Sequence, residues 1–529
     1  MPTSGKITNF LLYAGYALCL LQIWLPDYYL TGDGPCHLYN AQILHDILSG
    51  NNRDFYSRFF DIVGRPNPNW MSHLLLAGLL YVVKGVVAEK ILLTGYVILF
   101  VSGFSRLLKR LDADNSYWQL VVFAFVFHYV LAKGFYNFSI SVALLFWMID
   151  WWLRVLDKIS YGSVIAFFIV VCLTFFAHPV AFVFGAFCCA ALTVSALWNK
   201  QHTMMPLLKY SGLLIGCILP CSLFMIWFAA DEAHEGTVVL HVAKYKVLEF
   251  ADFNCLVNLT VTEVWPVRLL WLVLVVGFIY ALIIRMKSNA GLHKYDGFLA
   301  AMLFAGFLYF FFPDKLFGGS LFVVRAQYLW GLFMVCAIGY MLPAGWVKNG
   351  IGLLFLVCFI GLSVVRMACL KEANAGLKDL LSARQYIKPN SVVLPLDFAP
   401  GGLDMKGNII ADRNWIFSHA AQYMALNQPL IMMDNYEANT GYFPLIWKGG
   451  VNPYLHLCQH GSIEHNPPFG NITDYKSKTG VTIDCIVMWC HDSAAQYDTH
   501  FDRFYSEIRN DYNLIYTSAN RRVKLLVHK

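Results

Sequence analysis

Residues 159–199 read ISYGSVIAFFIVVCLTFFAHPVAFVFGAFCCAALTVSALWN, 41 residues without a single Asp, Glu, Lys or Arg. As one helix rising 1.5 Å per residue this stretch would be about 60 Å long, twice the roughly 30 Å hydrocarbon core of a bilayer. His178-Pro179 falls near its middle and makes a natural loop, so the stretch reads as two membrane-spanning helices, 159–177 and 179–199. Further charge-free runs lie at about 7–26, 91–105, 115–132, 134–149, 210–230, 269–284, 297–313, 326–347 and 349–365. The chain is therefore expected to be a mainly α, polytopic membrane helix bundle of about eleven transmembrane helices. Composition agrees: 58% of the 529 residues are hydrophobic and 14% charged, against roughly 25% charged in a soluble domain. The net charge of +6 is scattered between the apolar runs, which reads as membrane-loop charge and excludes nucleic acid as a partner.

Pro66 to Val83 is the ambiguous run. It opens with Pro-Asn-Pro-Asn-Trp, leaving too few apolar residues to cross, so it is expected to be an interfacial or re-entrant helix. With that run uncrossed and the N-terminus cytoplasmic, the loops carrying Arg106/Lys109/Arg110, Arg154/Lys158, Lys200/Lys209, Arg285/Lys287/Lys294 and Lys348 all face inward. The same count puts three long segments outside: Asp27 to Lys90, Asp231 to Arg268, and the chain after about Arg366. The first run follows Lys6 and has no small-x-small cleavage site ahead of Asp27, so it is expected to be a retained span that also acts as the targeting signal.

Two domains follow: a transmembrane domain, 1–367, whose outer first loop 27–90 carries interfacial helices, and a soluble α/β domain, 368–529. In the latter, Val392-Val393-Leu394, Ile483 to Met488 and Leu514-Ile515-Tyr516 read as buried strands, and Leu377 to Tyr386 and Phe501 to Arg509 as helices. Fourteen cysteines are scattered with no paired CxxC, and Cys458, Cys485 and Cys490 leave room for one disulfide in an oxidising compartment. Asp231, His234 and His241 have metal-binding side chains, but their spacing fits no defined site and a solvated loop accounts for them.

Chemistry is concentrated just after the first span, in Tyr28-Tyr29-Leu-Thr-Gly-Asp33-Gly-Pro-Cys-His37-Leu-Tyr-Asn. Asp33 or Gly34 caps the amphipathic helix that follows, with Pro35 in its first turn. Alternatively, Asp33 faces a cavity at the membrane surface and works as a general base toward a hydroxyl. A lone Asp in the first outer loop, interfacial helices after it, about eleven spans and a C-terminal outer domain together resemble the GT-C glycosyltransferases. Protein O-mannosyltransferases and lipid A aminoarabinose transferases are members of that class.

The resemblance implies that Asp33 is the catalytic carboxylate, binding the acceptor and taking its proton while the phosphate leaves. The implied partners are a polyprenyl-phosphate-linked sugar donor, a lipid, glycan or protein hydroxyl acceptor, and membrane lipids. The chain departs from many such enzymes in having Asp33-Gly34 where they have two adjacent acidic residues. Lys133-Gly-Phe-Tyr-Asn137-Phe stands where the resemblance implies a second acidic motif, so no cofactor is required and no metal site is assigned.

A donor phosphate needs fixed cations that also stabilise the leaving group. Lys133, His178 and Arg325, each at an outer span end, are the residues expected to hold it; a snorkelling lysine and a packed histidine are the structural alternatives for the first two. Contacts to acceptor or sugar are assigned to His37, Asn137, Tyr442 and Trp447, the last two from an aromatic-rich stretch that core packing explains equally well. The expected setting is a bacterial inner membrane with a periplasmic C-terminal domain. The competing class is a non-catalytic flippase, transporter or assembly protein for envelope glycolipids, in which the same charges line a path across the membrane.

Overall fold

The computed structural model describes residues 3–65, 67–112, 117–198, 204–232, 243–288, 291–315, 319–458, 463, 470–491 and 499–529. Side chains of 229–244 and 499–503 lie outside that description, as do His234 and His241 altogether. The chain forms two compact units. One comprises Met1–Ile23, Leu93–Leu131 and Tyr136–Arg366; the other comprises Trp24–Leu92, Ala132–Phe135 and Met367–Lys529.

Eight helices are long and apolar enough to cross a membrane: Lys6–Trp24, Gly85–Leu111, Tyr136–Asp157, Pro179–Trp198, Met205–Phe228, Val261–Lys287, Phe322–Met341 and Trp346–Tyr386. Three shorter apolar segments, Tyr117–Ala132, Tyr161–Ala177 and Gly297–Phe311, accompany them. This is the make-up of an integral membrane protein. Helix Val264–Lys287 shows why. Leu269, Leu272, Val276, Ile279 and Ile283 form an exposed stripe at helical spacing, while Val267, Leu270, Leu274 and Ala281 are buried on the other side. Water would penalise such an apolar outer face, and lipid does not.

The stretch 159–199 breaks where its proline demands. Helices Tyr161–Ala177 and Pro179–Trp198 are separated by His178 alone, held extended at φ −166°, ψ 127°, the conformation that a following proline imposes. The Ser141 hydroxyl lies 2.8 Å from the Thr174 carbonyl oxygen, which also accepts from His178 N at 3.1 Å, and 3.0 Å from the His178 carbonyl oxygen. Across the same unit, Glu263 and Arg366 form an ion pair of 2.8 Å with side chains only 0% and 4% exposed.

In the second unit, a five-stranded sheet has the order β3-β2-β5-β7-β6. Its strands are β2 (Ser391–Asp397), β3 (Leu430–Met432), β5 (Cys485–Trp489), β6 (Tyr512–Thr517) and β7 (Val523–His528). β2 runs parallel to both β3 and β5, whereas β7 is antiparallel to β5 and β6. The nearly continuous apolar runs of β2 and β5 suit strands covered on both faces. The sequence shows β2, β5 and β6 but not β3 or β7, and β6, expected to be buried, is an edge strand that leaves Leu514 and Ile515 exposed. β3 has only three residues, too few for a periodic signal.

The expected helix at 377–386 is the end of a longer one, Trp346–Leu381, followed by a 3₁₀ turn, Ser382–Tyr386. No proline interrupts 346–381, so the helix has no reason to stop at the last apolar residue. Pro66 to Val83 contains helix Met71–Leu79, nine residues and about 14 Å long, well short of a bilayer crossing. The segment before it supplies β1 (Phe60–Ile62), which pairs antiparallel with β4 (Leu445–Trp447), Phe60 opposite Trp447. Cys458, Cys485 and Cys490 are all free thiols.

Candidate functional site

Two glycines bring the site together. Gly134 has φ +94°, and a Cβ there would lie 2.5 Å from the Asp33 nitrogen; a Cβ on Gly32 would lie 2.8 Å from the Lys133 carbonyl oxygen. Without side chains at either position, the two backbones pair: Gly32 N donates to Ala132 O at 3.0 Å and Asp33 N to Lys133 O at 2.8 Å. Asp33 and Lys133 thereby become neighbours although 100 positions separate them in the chain.

Helix Gly34–Ser49 starts immediately after, with Pro35 in its first turn and Gly50 closing it in the left-handed region at φ +85°. Asp33 occupies the N-cap position, but its carboxylate makes no capping hydrogen bond. It instead lines a cavity of about 210 Å³. Lys133, Asp397, His419 and Asp434 supply the cavity's other ionisable groups, and Trp415, Phe417 and Trp489 its aromatic wall. Asp397 ends β2, Trp489 ends β5, and Asp434 follows β3 by two residues. The cavity therefore sits at the carboxyl ends of the parallel strands. The chain passes from β2 to β3 on one side and then to β5 on the other, the reversal at which open α/β sheets bind ligands.

The His419 ring lies between two carboxylates, Nε2 at 3.8 Å from Asp33 Oδ1 and Nδ1 at 3.5 Å from Asp434 Oδ2, and stacks on Tyr436 at 5.0 Å. Lys133 Nζ stands 5.3 Å above the Trp415 ring, a cation–π distance. Burial raises the Asp33 carboxyl above the usual carboxylate range, an effect that His419 and His37 reduce and Glu437 increases. Burial likewise lowers Lys133, against the attraction of Asp33. Asp397 is raised by burial to about 7, with the Ala399 N–H bond and His419 opposing the shift.

That shift gives a pH signature. Asp397 holds its proton more tightly folded than unfolded, so stability falls as pH rises from the ordinary carboxylate value toward about 7. Asp397→Asn is expected to raise the thermal midpoint of the detergent-solubilised protein at pH 8 clearly more than at pH 5. An equal change at both pH values would contradict a protonated Asp397.

Outside the lining of this cavity, His37, His73 and Glu437 form the group of three converging metal-type donors found among the described residues. His37 Nδ1 is 2.7 Å from Glu437 Oε1, His73 Nε2 is 2.8 Å from Oε2, and the two ring nitrogens are 3.1 Å apart. The two imidazoles overcome burial and hold Glu437 well below the usual carboxylate range. Burial works against a charged His37, yet Glu437 and Asp33 raise it, while burial prevails at His73 and lowers it.

The other expected site residues fall as follows. Arg325, near the start of helix Phe322–Met341, lies with Nη1 3.2 Å from His178 Nε2 and its guanidinium 5.3 Å over Phe138, all within the first unit. Asn137 is buried in helix Tyr136–Asp157 of that unit. Trp447 is buried, stacked at 4.3 Å on Phe60, with its N–H donated to the Asn435 carbonyl at 2.9 Å. The Tyr442 carbonyl accepts from the Trp70 indole at 2.9 Å. Sequence reasoning missed His73, Asp397, His419, Asp434 and Glu437. No spacing signal could have found the cluster, since His37 and Glu437 are 400 positions apart.

No protein-family model matches this chain, and no curated protein matches it either.

Proposed function

We propose that this protein is a GT-C-type membrane glycosyltransferase that moves a sugar from a polyprenyl-phosphate carrier to a lipid, glycan or protein hydroxyl. The observation that carries this is the shared cavity of Asp33 and Lys133, where one ammonium and the carboxylates of Asp33, Asp397 and Asp434 face a space of about 210 Å³ at the carboxyl ends of the parallel strands. In the proposed step the acceptor oxygen attacks the anomeric carbon and gives its proton to Asp33. The bond from that carbon to the phosphate oxygen breaks with inversion, and Lys133 stabilises the charge left on the polyprenyl phosphate. A carboxylate with raised proton affinity suits a base. Trp415 offers an exposed ring for sugar stacking beside the ammonium. Arg325 and His178 are proposed, on their chemistry alone, for the donor phosphate.

The same proposal includes eleven spans, a cytoplasmic N-terminus and a periplasmic C-terminal domain in a bacterial inner membrane. It is tested by mass spectrometry of envelope glycolipids, polysaccharide and glycoproteins in a deletion strain carrying either the wild-type gene or Asp33→Asn at matched expression. One glycoform is expected to vanish in the deletion and return only with wild type, its missing mass naming the sugar. Restoration by Asp33→Asn would remove the base assignment.

A further inference from the structure

We propose that His37, His73 and Glu437 form a zinc site. Three separate elements deliver them: helix Gly34–Ser49, helix Met71–Leu79 and the short helix Glu437–Thr440. Their side chains are buried, 4%, 1% and 0% exposed. The two ring nitrogens lie 3.1 Å apart, near the roughly 3.3 Å edge of a tetrahedron with 2.0–2.1 Å bonds, and each is within 2.8 Å of a different carboxylate oxygen of Glu437, His37 Nδ1 of Oε1 and His73 Nε2 of Oε2. An ion held by both nitrogens and one of these oxygens meets donors that already converge, all within 4.8 Å of one another. Two imidazole nitrogens and one carboxylate form a donor set that suits zinc better than calcium or magnesium, which favour oxygen ligands.

The surroundings are those of a ligand set held in place. Asn40 Nδ2 donates to Glu437 Oε2 at 2.7 Å, and Asn40 is itself clamped by Asn435 through a reciprocal amide pair, 2.7 Å and 3.1 Å. The Phe443 ring lies against both imidazoles, 5.8 Å from His37 and 5.1 Å from His73. An oriented carboxylate and an apolar wall are the outer-shell features that fix metal ligands and limit solvent access. Three protein donors leave further coordination positions for water or substrate. The inference does not depend on sugar transfer, because it concerns the cluster's own atoms.

The test is metal analysis of the full-length protein purified in detergent, by inductively coupled plasma mass spectrometry, followed by zinc chloride titration of chelator-treated protein. The expected result is about one zinc per chain in wild type and in Asp33→Asn. His73→Ala is expected to lose at least about tenfold in bound zinc, and Asn40→Ala to weaken binding about 10- to 100-fold. Should His73→Ala fail to fold, cobalt substitution of wild type still decides, through visible bands expected of a nitrogen- and oxygen-ligated ion. Wild type that carries no zinc and takes up neither zinc nor cobalt at about micromolar concentration overturns the site. Protein that takes up no zinc yet transfers sugar would remove the zinc site and leave the transferase. Zinc-loaded protein that transfers none would do the reverse.

Discussion

Asp33→Asn is expected to lower kcat for sugar transfer by about a thousandfold, within the range of 10² to 10⁴ that a positioned general base contributes, while KM changes little. Asparagine keeps the size of the side chain and can occupy the N-cap position, where the carboxylate makes no capping bond to lose. What it cannot do is accept the acceptor's proton. The pH profile adds a readout that a merely structural role would not move. Burial raises the Asp33 carboxyl and the His419 ring beside it opposes that shift. The acid limb of kcat/KM is therefore expected above the ordinary carboxylate range, with activity lost as pH falls through it. Removing the imidazole with His419→Asn is expected to push that limb to still higher pH. Purified protein assayed with the donor identified by mass spectrometry decides the matter: Asp33→Asn within about threefold of wild type, far inside the expected loss, would exclude the base.

What the sequence disclosed about this site follows from the range of the forces involved. Membrane helices are set by local composition, so all eleven charge-free runs coincide with helices, eight of them long and apolar enough to cross. The His178-Pro179 break was legible for the same reason, since proline acts on its immediate neighbour. Asp33 and Lys133 stood out as charges at the ends of apolar runs. Their proximity did not, because it comes from a backbone pairing that only Gly32 and Gly134 permit, and a glycine in sequence looks the same in a turn as at a close approach. The β1–β4 pairing was equally hidden. Three residues of β1 meet three residues 385 positions later, too short on either side for alternation to register. His419, Asp434 and Glu437 lie in a stretch whose aromatic residues drew attention to sugar stacking. Trp447 from that stretch is buried against Phe60, and Trp415 faces the cavity.

Arg366→Ala in the first unit is expected to destabilise the protein by about 3–5 kcal/mol, the usual consequence of leaving one half of a buried ion pair behind. Glu263 would lose its cationic partner in a dry site while still accepting from the backbone N–H groups of Asn258 at 3.1 Å, Leu259 at 2.8 Å and Thr260 at 3.3 Å. Arg366 binds more than Glu263: its Nη2 donates to the Leu256 carbonyl at 2.9 Å and its Nη1 to that of Phe127 at 3.3 Å. One guanidinium thus ties together three segments that are distant in sequence, which is work a planar, five-donor cation can do and a lysine cannot. Arg366→Lys should accordingly lose a large part of the same stability, and the pair Glu263→Gln with Arg366→Met should recover some of it, because no unpaired charge then remains. Thermal unfolding of the full chain in detergent reads all three, and a shift in Arg366→Ala corresponding to less than about 1 kcal/mol, the value of an exposed pair, would refute the assignment. The result also bears on the competing transporter class. A charge lining a translocation path must exchange partners as cargo passes. Glu263 and Arg366 instead spend their hydrogen-bonding capacity on fixed backbone groups, so their loss should cost stability in the resting protein and carry no cargo dependence.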